Sequence, residues 1–315
     1  MKTSLKQAAL SVVIAVSSSQ FNCNAFQTLP FKSYLHKQGS YINHIAHRLN
    51  AAKPLSTFEP SDFAFPTGEW PYTDADMGRL DNTEDTFFYD TPRFVTHIDD
   101  RAIESLTEFY RDEIRETYLN KKKPVDIIDI CSSWVSHLPE DDTISYGRVA
   151  GVGMNDEELS ANAQLTEYLV KDLNKAPDLS EYEDNSFDIL CNVVSVDYLT
   201  KPLPIFQETY RVLRPGGKAL ISFSNRCFPT KAVAMWLQAD DIDRLTIVGS
   251  YFHYASTWKS IEALDIKLPN VQGPKRPSVQ EIMANPSAAF AWASATAATT
   301  RMNSGDPMYV VKGVK

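Results

Sequence analysis

From Val125 to Phe223 short apolar runs alternate with segments of helical pattern, and that alternation constrains the fold more than any other feature of the chain. The runs are Val125 to Ile130, Arg148 to Val152, Glu167 to Val170, Phe187 to Val194 and Lys218 to Phe223. The fourth, FDILCNVV, is apolar almost throughout, so a strand made from it leaves neither face to water. Between the runs lie NDEEL, an acid-rich stretch suited to a helix N-terminus, and Pro204 to Leu213, with Phe206, Tyr210 and Leu213 on one helical face. Apolar strands that alternate with helices predict an α/β three-layer sandwich with a mainly parallel sheet.

The flanks extend the pattern. Asp99 and Asp100 offer an N-cap to an amphipathic helix through Ile103, Leu106, Tyr110, Ile114 and Tyr118, ending near Asn120. Pro215-Gly216-Gly217 marks a turn. Lys231 to Gln238 and Asp240 to Tyr254 read as helices, and Ser260 to Leu268 and Met308 to Val314 as a sixth and a seventh strand. Residues 272–303 form an insert in which a Pro-rich loop precedes SVQE, a capping box that starts a helix, and an Ala-rich tract. Residues 59–98, rich in Pro, Asp and aromatics without sustained periodicity, read as an irregular arm whose rings pack on the body. A lid over a ligand is the alternative.

The start of the chain differs in charge. No Asp or Glu precedes Glu59, whereas Lys2, Lys6, Lys32, Lys37, Arg48 and Lys53 do, so every acid behind the net charge of −9 lies in the body. That balance argues against a nucleic-acid backbone binder, and no apolar run approaches the roughly 20 residues that span a bilayer. Residues 1–25 place Lys2 and Lys6 before the apolar run Ala8 to Val16 and a small polar exit, the pattern of a signal peptide; a short core helix is the alternative. Residues 26–58 have the composition of a transit peptide. The junction NAFQTLPF, Asn24 to Phe31, resembles the bipartite plastid presequences of diatoms and related algae, which implies delivery to a plastid through the secretory route, with simple secretion as the rival. Cys131, Cys191 and Cys227 remain in the body without close pairing, which suggests free thiols and a reducing destination.

The first strand runs into DIIDICSSWVSH, Asp126 to His137. An acid near a strand end followed by small residues is how a nucleotide-cofactor site begins, yet this loop has no glycine. Downstream, NSFDILCNVVSVDYLTKPLPIFQETYRVLRPGGKALISFSNR, Asn185 to Arg226, closely resembles the corresponding stretch of class I S-adenosylmethionine-dependent methyltransferases of the small-molecule, type 11-like kind. There NSFD leads strand four, a helix carries the counterparts of Glu208 and Arg211-Val212-Leu213, and PGG turns into strand five. The resemblance spans about residues 99–315 and looks especially like a plant and algal branch with a CSSWVSHLP loop. It implies a Rossmann-like methyltransferase fold with a seven-stranded sheet and an N-terminal extension, S-adenosyl-L-methionine as cofactor, and a small-molecule substrate.

Carried over residue by residue, the resemblance implies that Asp129 is the acid ending strand one, with Cys131, Ser133 and Val135 where the family has glycines. Each non-Gly residue held at positive φ costs roughly 1–2 kcal/mol, so the expectation is a reshaped loop in place of a strained one. Ser132 and Ser133 are hydroxyl donors for a carboxylate, and Trp134 is either a pocket wall or core packing. Gly153 stands where the family has a ribose-binding acid. Asn155 is the nearby substitute, with helix capping as its alternative role. Asp172 and Leu173 match the acid and apolar residue that contact adenine, and the resemblance implies that Asn192 to Ser195 lie below the sulfonium at the end of strand four.

Methyl transfer needs a base only where the acceptor loses a proton. His253 is the first candidate and Asp197 the second, with His137, Tyr198, Asn225 and Arg226 also near strand ends. No zinc spacing, phosphate-binding Gly loop or nucleophile elbow is present. The leading expectation is therefore S-adenosylmethionine-dependent methyl transfer to a small molecule. A non-catalytic protein of the same fold and a protein using another adenosyl ligand are the alternatives.

Overall fold

The computed structural model describes residues 52–63 and 69–315, and the signal and transit readings of residues 1–51 lie outside them. The strands are β1 (Lys53–Thr57), β2 (Val125–Ser132), β3 (Tyr146–Gly153), β4 (Glu167–Val170), β5 (Phe187–Val193), β6 (Leu213–Phe223), β7 (Ser260–Asp265) and β8 (Tyr309–Val314). They form one eight-stranded sheet in the order β1-β7-β8-β6-β5-β2-β3-β4. The pairs joining β4, β3, β2, β5 and β6 are parallel, and those joining β6, β8, β7 and β1 are antiparallel.

The helices are α1 (Asp85–Phe88), α2 (Asp100–Lys121), α3 (Asp156–Ala161), α4 (Pro202–Val212), α5 (Ala234–Gln238), α6 (Asp241–Ala255), α7 (Val279–Ala284) and α8 (Ser287–Asn303). Adjacent strand residues enter opposite cores, as the two-residue period requires. Ile127, Ile189 and Leu220 join Leu106, Tyr110 and Ile114 of α2 on one face. Ile128, Leu190 and Ile221 join Phe206 of α4 and Phe252 of α6 on the other. The three layers and the parallel centre thus follow from the apolar runs. Asp99 caps α2 by accepting from the Ala102 amide, and Lys122 closes the helix in the left-handed region.

The expected seven strands become eight. Lys53–Thr57, read from sequence as the end of the leader, pairs antiparallel with β7. All five of its residues are exposed, so no apolar alternation marks it; main-chain hydrogen bonds alone hold it at the edge, where Pro54 is tolerated. The insert does begin as a helix at Ser278, whose capping box with Glu281 is formed. The arm does pack on the body: Lys231, fully buried, pairs with Asp81 at 3.0 Å and Asp85 at 3.3 Å, and Arg79 holds Asp85 with two bonds of 2.8 and 2.9 Å. Cys131, Cys191 and Cys227 are free thiols. No described helix is long and apolar enough to cross a membrane.

Candidate functional site

A cavity of about 340 Å³ opens at the carboxyl ends of the central strands, within the range of small-molecule sites. Asp129, Cys131 and the loop after β2 line it, as do the ends of β3 and β5, Asp172 and Leu173 after β4, and Arg226 to Phe228 after β6. The arm supplies a further wall through Asp85, Tyr89, Arg93 and residues 95–98. It is therefore part of the site as well as packing on the body.

Asp129 is buried three residues before the end of β2 and accepts from Ser132 Oγ at 2.7 Å and Ser136 Oγ at 2.8 Å. Burial nevertheless raises its carboxyl to about 6. Asn162 Nδ2 donates to Ser136 Oγ at 2.9 Å and to Ser133 O at 2.9 Å, tying the loop to the end of α3. Ser133 Oγ donates to Glu158 Oε2 at 2.5 Å. The two hydroxyls expected to serve a ligand carboxylate are thus already donating to protein acids. The N–H groups of Trp134, Val135 and Ser136 meet no acceptor among the described residues, which leaves the loop main chain as the donor set.

The expectation of an unstrained loop is corrected in part. Cys131 keeps the left-handed conformation, φ 57°, that glycine serves elsewhere, while Ser133 and Val135 do not. Asn192 Nδ2 donates to Ile130 O at 3.1 Å, fixing the peptide that enters Cys131. His137 (φ 55°) and Val194 (φ 42°) are also left-handed and also line the cavity. Such conformations cost about 1–3 kcal/mol each and persist where the surroundings impose them, commonly at ligand sites. Trp134 walls the cavity without filling it; its Nε1 donates to Val95 O at 3.1 Å.

The missing ribose acid has a steric cause. A Cβ on Gly153 would lie 2.1 Å from Ser132 O, so no side chain fits at the end of β3. Asn155 caps α3 by accepting from the Glu158 amide at 3.0 Å, and its Nδ2 donates to Tyr89 O and Asp90 O. The capping role is the one the structure places there, and both amide protons are committed. Glu158, which sequence reasoning missed, brings a buried carboxylate to the cavity from α3. Its only sequence signal is its place in NDEEL, where it reads as helix-start chemistry.

Asp172 and Leu173 line the cavity as expected. Asp172 Oδ1 accepts from the Asn174 and Lys175 amides at 2.8 and 3.2 Å, while Oδ2 makes no hydrogen bond among the described residues. Of the run Asn192 to Ser195 expected at the strand end, Val193 to Ser195 line the cavity, while Asn192, one residue before the end of β5, is wholly buried and does not. Neither of the two side chains expected first to act as a base lines it. His253, on α6, stacks on Phe63 of the arm at 4.5 Å and does not line the cavity. Asp197 is buried behind the cavity wall, its Oδ2 without a partner among the described residues, and burial raises its carboxyl to about 8. It does not line the cavity. His137, by contrast, lines the cavity, and burial lowers its imidazole to about 4, so it is neutral near pH 7.

No curated protein matches the chain. Among solved structures it is similar to an S-adenosylmethionine-dependent methyltransferase from Mesorhizobium loti, with 13% identity over 65% of this chain and 98% of that one and a TM-score of 0.36. It is similar to phosphoethanolamine N-methyltransferase 2 of Haemonchus contortus in complex with S-adenosyl-L-methionine, with 15% identity over 74% of this chain and 60% of that one and a TM-score of 0.39. It is also similar to the [4+2]-cyclase SpnF, with 14% identity over 65% and 82% and a TM-score of 0.35. Residues 133–221, from the loop after β2 into β6, match the family model described as a methyltransferase domain.

Proposed function

We propose that the protein is an S-adenosylmethionine-dependent methyltransferase acting on a small molecule in this cavity. The observation that carries the reading is the open cavity between Asp129 and Asp172, bordered by the segment that matches a methyltransferase domain. Asp172 Oδ2 suits the exocyclic amine of adenine, and Leu173 covers the ring. The amides of Trp134 to Ser136 suit the cofactor's carboxylate.

The cofactor supplies a methyl carbon already activated by a sulfonium. Asp172, Leu173 and the amides of Trp134 to Ser136 would hold the cofactor, and it would supply that methyl group to an acceptor's lone pair, with the thioether as the leaving group. The protein's part is alignment and exclusion of water. Neutral His137, which lines the cavity, suits a hydrogen bond from an acceptor O–H or N–H. Calorimetry of the full chain with S-adenosylmethionine and with S-adenosylhomocysteine tests the reading. Saturable binding of both is expected, and no heat at millimolar ligand would remove it.

One observation favours the second reading, a ligand-binding protein without activity: the hydroxyls of Ser132 and Ser133 and the amide of Asn155 are already engaged by the protein. Under that reading the product-like ligand binds and no methyl group is ever released to an acceptor pool. Delivery to a plastid is also proposed, on the composition of residues 1–58. Retention of β1 then requires the leader to end before Lys53, and a fluorescent fusion to residues 1–52 tests it.

A further inference from the structure

The cavity wall formed by the arm and the segment after β6 carries cations that protein acids leave largely unanswered. The Arg93 guanidinium donates Nη2 to Phe88 O at 2.8 Å and lies over the Phe88 ring with Cζ 4.5 Å from its centroid. Cζ is 6.0 Å from the Phe228 centroid, and no carboxylate among the described residues pairs with it. Two residues before Phe228, Arg226 meets Asp306 through Nε at 3.1 Å, while its side chain stays 61% exposed. Its two terminal nitrogens donate to nothing among the described residues. Both arginines and Phe228 line the cavity.

The aromatic surface between them is fixed. The Tyr198 hydroxyl accepts from the Phe228 amide at 2.8 Å, the two rings lie 6.1 Å apart, and His97 meets Phe228 edge-on at 5.4 Å. Burial lowers the His97 imidazole, so it adds a neutral donor or acceptor and no further charge near pH 7. Guanidinium groups stacked on rings present their planar N–H fork to an anion. The body as a whole is acidic, so this local cationic wall runs against the general field and selects an anion only at the site.

We propose that Arg93 and Arg226 bind the carboxylate or phosphate of the acceptor, whose apolar body packs on Phe228 and Tyr198. The acceptor is thus a small organic anion. As a statement about an acceptor this rests on the methyl-transfer reading; as a statement about an anion site it does not. The cofactor's own carboxylate is the competing source of the same chemistry, and the test separates the two.

Phenyl phosphate, benzoate and benzyl alcohol are titrated by calorimetry into the full chain, with and without saturating S-adenosylhomocysteine. The two anions are expected to bind at least about tenfold more tightly than benzyl alcohol. Arg93→Gln and Arg226→Gln are each expected to weaken phenyl phosphate by about tenfold, with Arg93→Lys losing less, while S-adenosylhomocysteine affinity stays within about twofold and reports an intact fold. Equal binding of the anions and benzyl alcohol overturns the proposal. So does a loss of S-adenosylhomocysteine affinity in Arg93→Gln with phenyl phosphate unchanged, which assigns Arg93 to the cofactor. If S-adenosylhomocysteine fails to bind while the substitutions still weaken phenyl phosphate, the anion site stands and the methyl-transfer reading falls.

Discussion

Ser133 donates its hydroxyl to Glu158 Oε2 at 2.5 Å, and through Oε1 the same carboxylate accepts the Arg93 amide at 2.6 Å. One acid of α3 thereby joins the glycine-free loop after β2 to the arm. Glu158→Ala leaves a hydroxyl and an amide without an acceptor and is expected to cost about 1–3 kcal/mol. Glu158→Gln is expected to cost under about half of that, since the hydroxyl rotates to accept from the new amide while the carbonyl serves Arg93. Urea unfolding of the two variants checks the order; equal midpoints would show that the junction contributes nothing.

Cys131 holds φ 57° with its side chain half-buried. Cys131→Gly removes about 1–2 kcal/mol of left-handed strain and adds about 0.5–1 kcal/mol of unfolded-chain freedom. A neutral to slightly stabilised protein is expected. Cys131→Val adds a branch at Cβ in the same conformation and is expected to destabilise by about 2 kcal/mol or more. Thermal or urea unfolding of the pair reads the difference, and a destabilised glycine variant would locate the energy in the Cys131 side chain instead.

The legible parts of this fold are those where burial writes a period into the sequence. β2 and β5 are recognisable because both their faces are covered, and α2 because its stripe and its Asp99 cap coincide. β1 carries no such mark, since its five residues are exposed and only the main chain pairs. In the candidate cavity, Asp129, Asp172 and Leu173 are legible as lining residues because each lies in or just after the carboxyl-terminal half of a strand. His253 was not: the periodicity shows that Phe252 is buried, but which neighbour covers the adjacent face depends on where the arm returns, and Phe63 lands there. Glu158 and Arg93 escaped for the same reason, as long-range contacts without a local pattern.

Asp197 sets a pH dependence. Burial raises its carboxyl from 3.8 to about 8. Below 3.8 both folded and unfolded chains hold the proton. Above it the unfolded chain ionises first, so stability drains as pH rises until the folded carboxyl also ionises near 8. Asp129, raised to about 6, adds the same sign over a shorter window. His137, lowered from 6.5 to about 4, acts oppositely: its contribution is present above 6.5 and is lost as pH falls through 4. Between pH 6.5 and 8 Asp197 is therefore the clearest contributor. Wild-type stability is expected to fall across that interval, and Asp197→Asn to flatten the fall, measured as the slope of the unfolding free energy against pH. An unchanged slope would mean that water reaches the carboxylate.

Lys231 anchors the arm from inside the body. Its Nζ donates to Thr83 O at 2.9 Å and pairs with Asp81 and Asp85, and the residue has no exposed surface. Lys231→Met is expected to cost about 3 kcal/mol, the lower end for breaking a buried pair, because Arg79 still neutralises Asp85. Limited proteolysis is expected to cut between Arg79 and Arg93 before the sheet unfolds. Cleavage at the wild-type rate would show that the arm is held by its aromatic contacts alone.

Asp172 offers the cleanest separation of folding from binding at the site. Its Oδ1 accepts from the Asn174 and Lys175 amides, a turn that asparagine reproduces. Its Oδ2, without a hydrogen bond among the described residues, is the oxygen that the proposed function assigns to adenine. Asp172→Asn therefore keeps the turn and turns the ligand-facing acceptor into a donor, which opposes the donor of the adenine amine. Affinity for S-adenosylhomocysteine is expected to fall by about 1–3 kcal/mol with the unfolding midpoint nearly unchanged. Asp172→Ala is expected to lose a similar binding energy and some stability as well, because it abandons both amides of the turn. Calorimetry and urea unfolding on the same preparations read the two quantities independently. Full affinity in Asp172→Asn would move the adenine away from β4 and with it the orientation of any cofactor in the cavity.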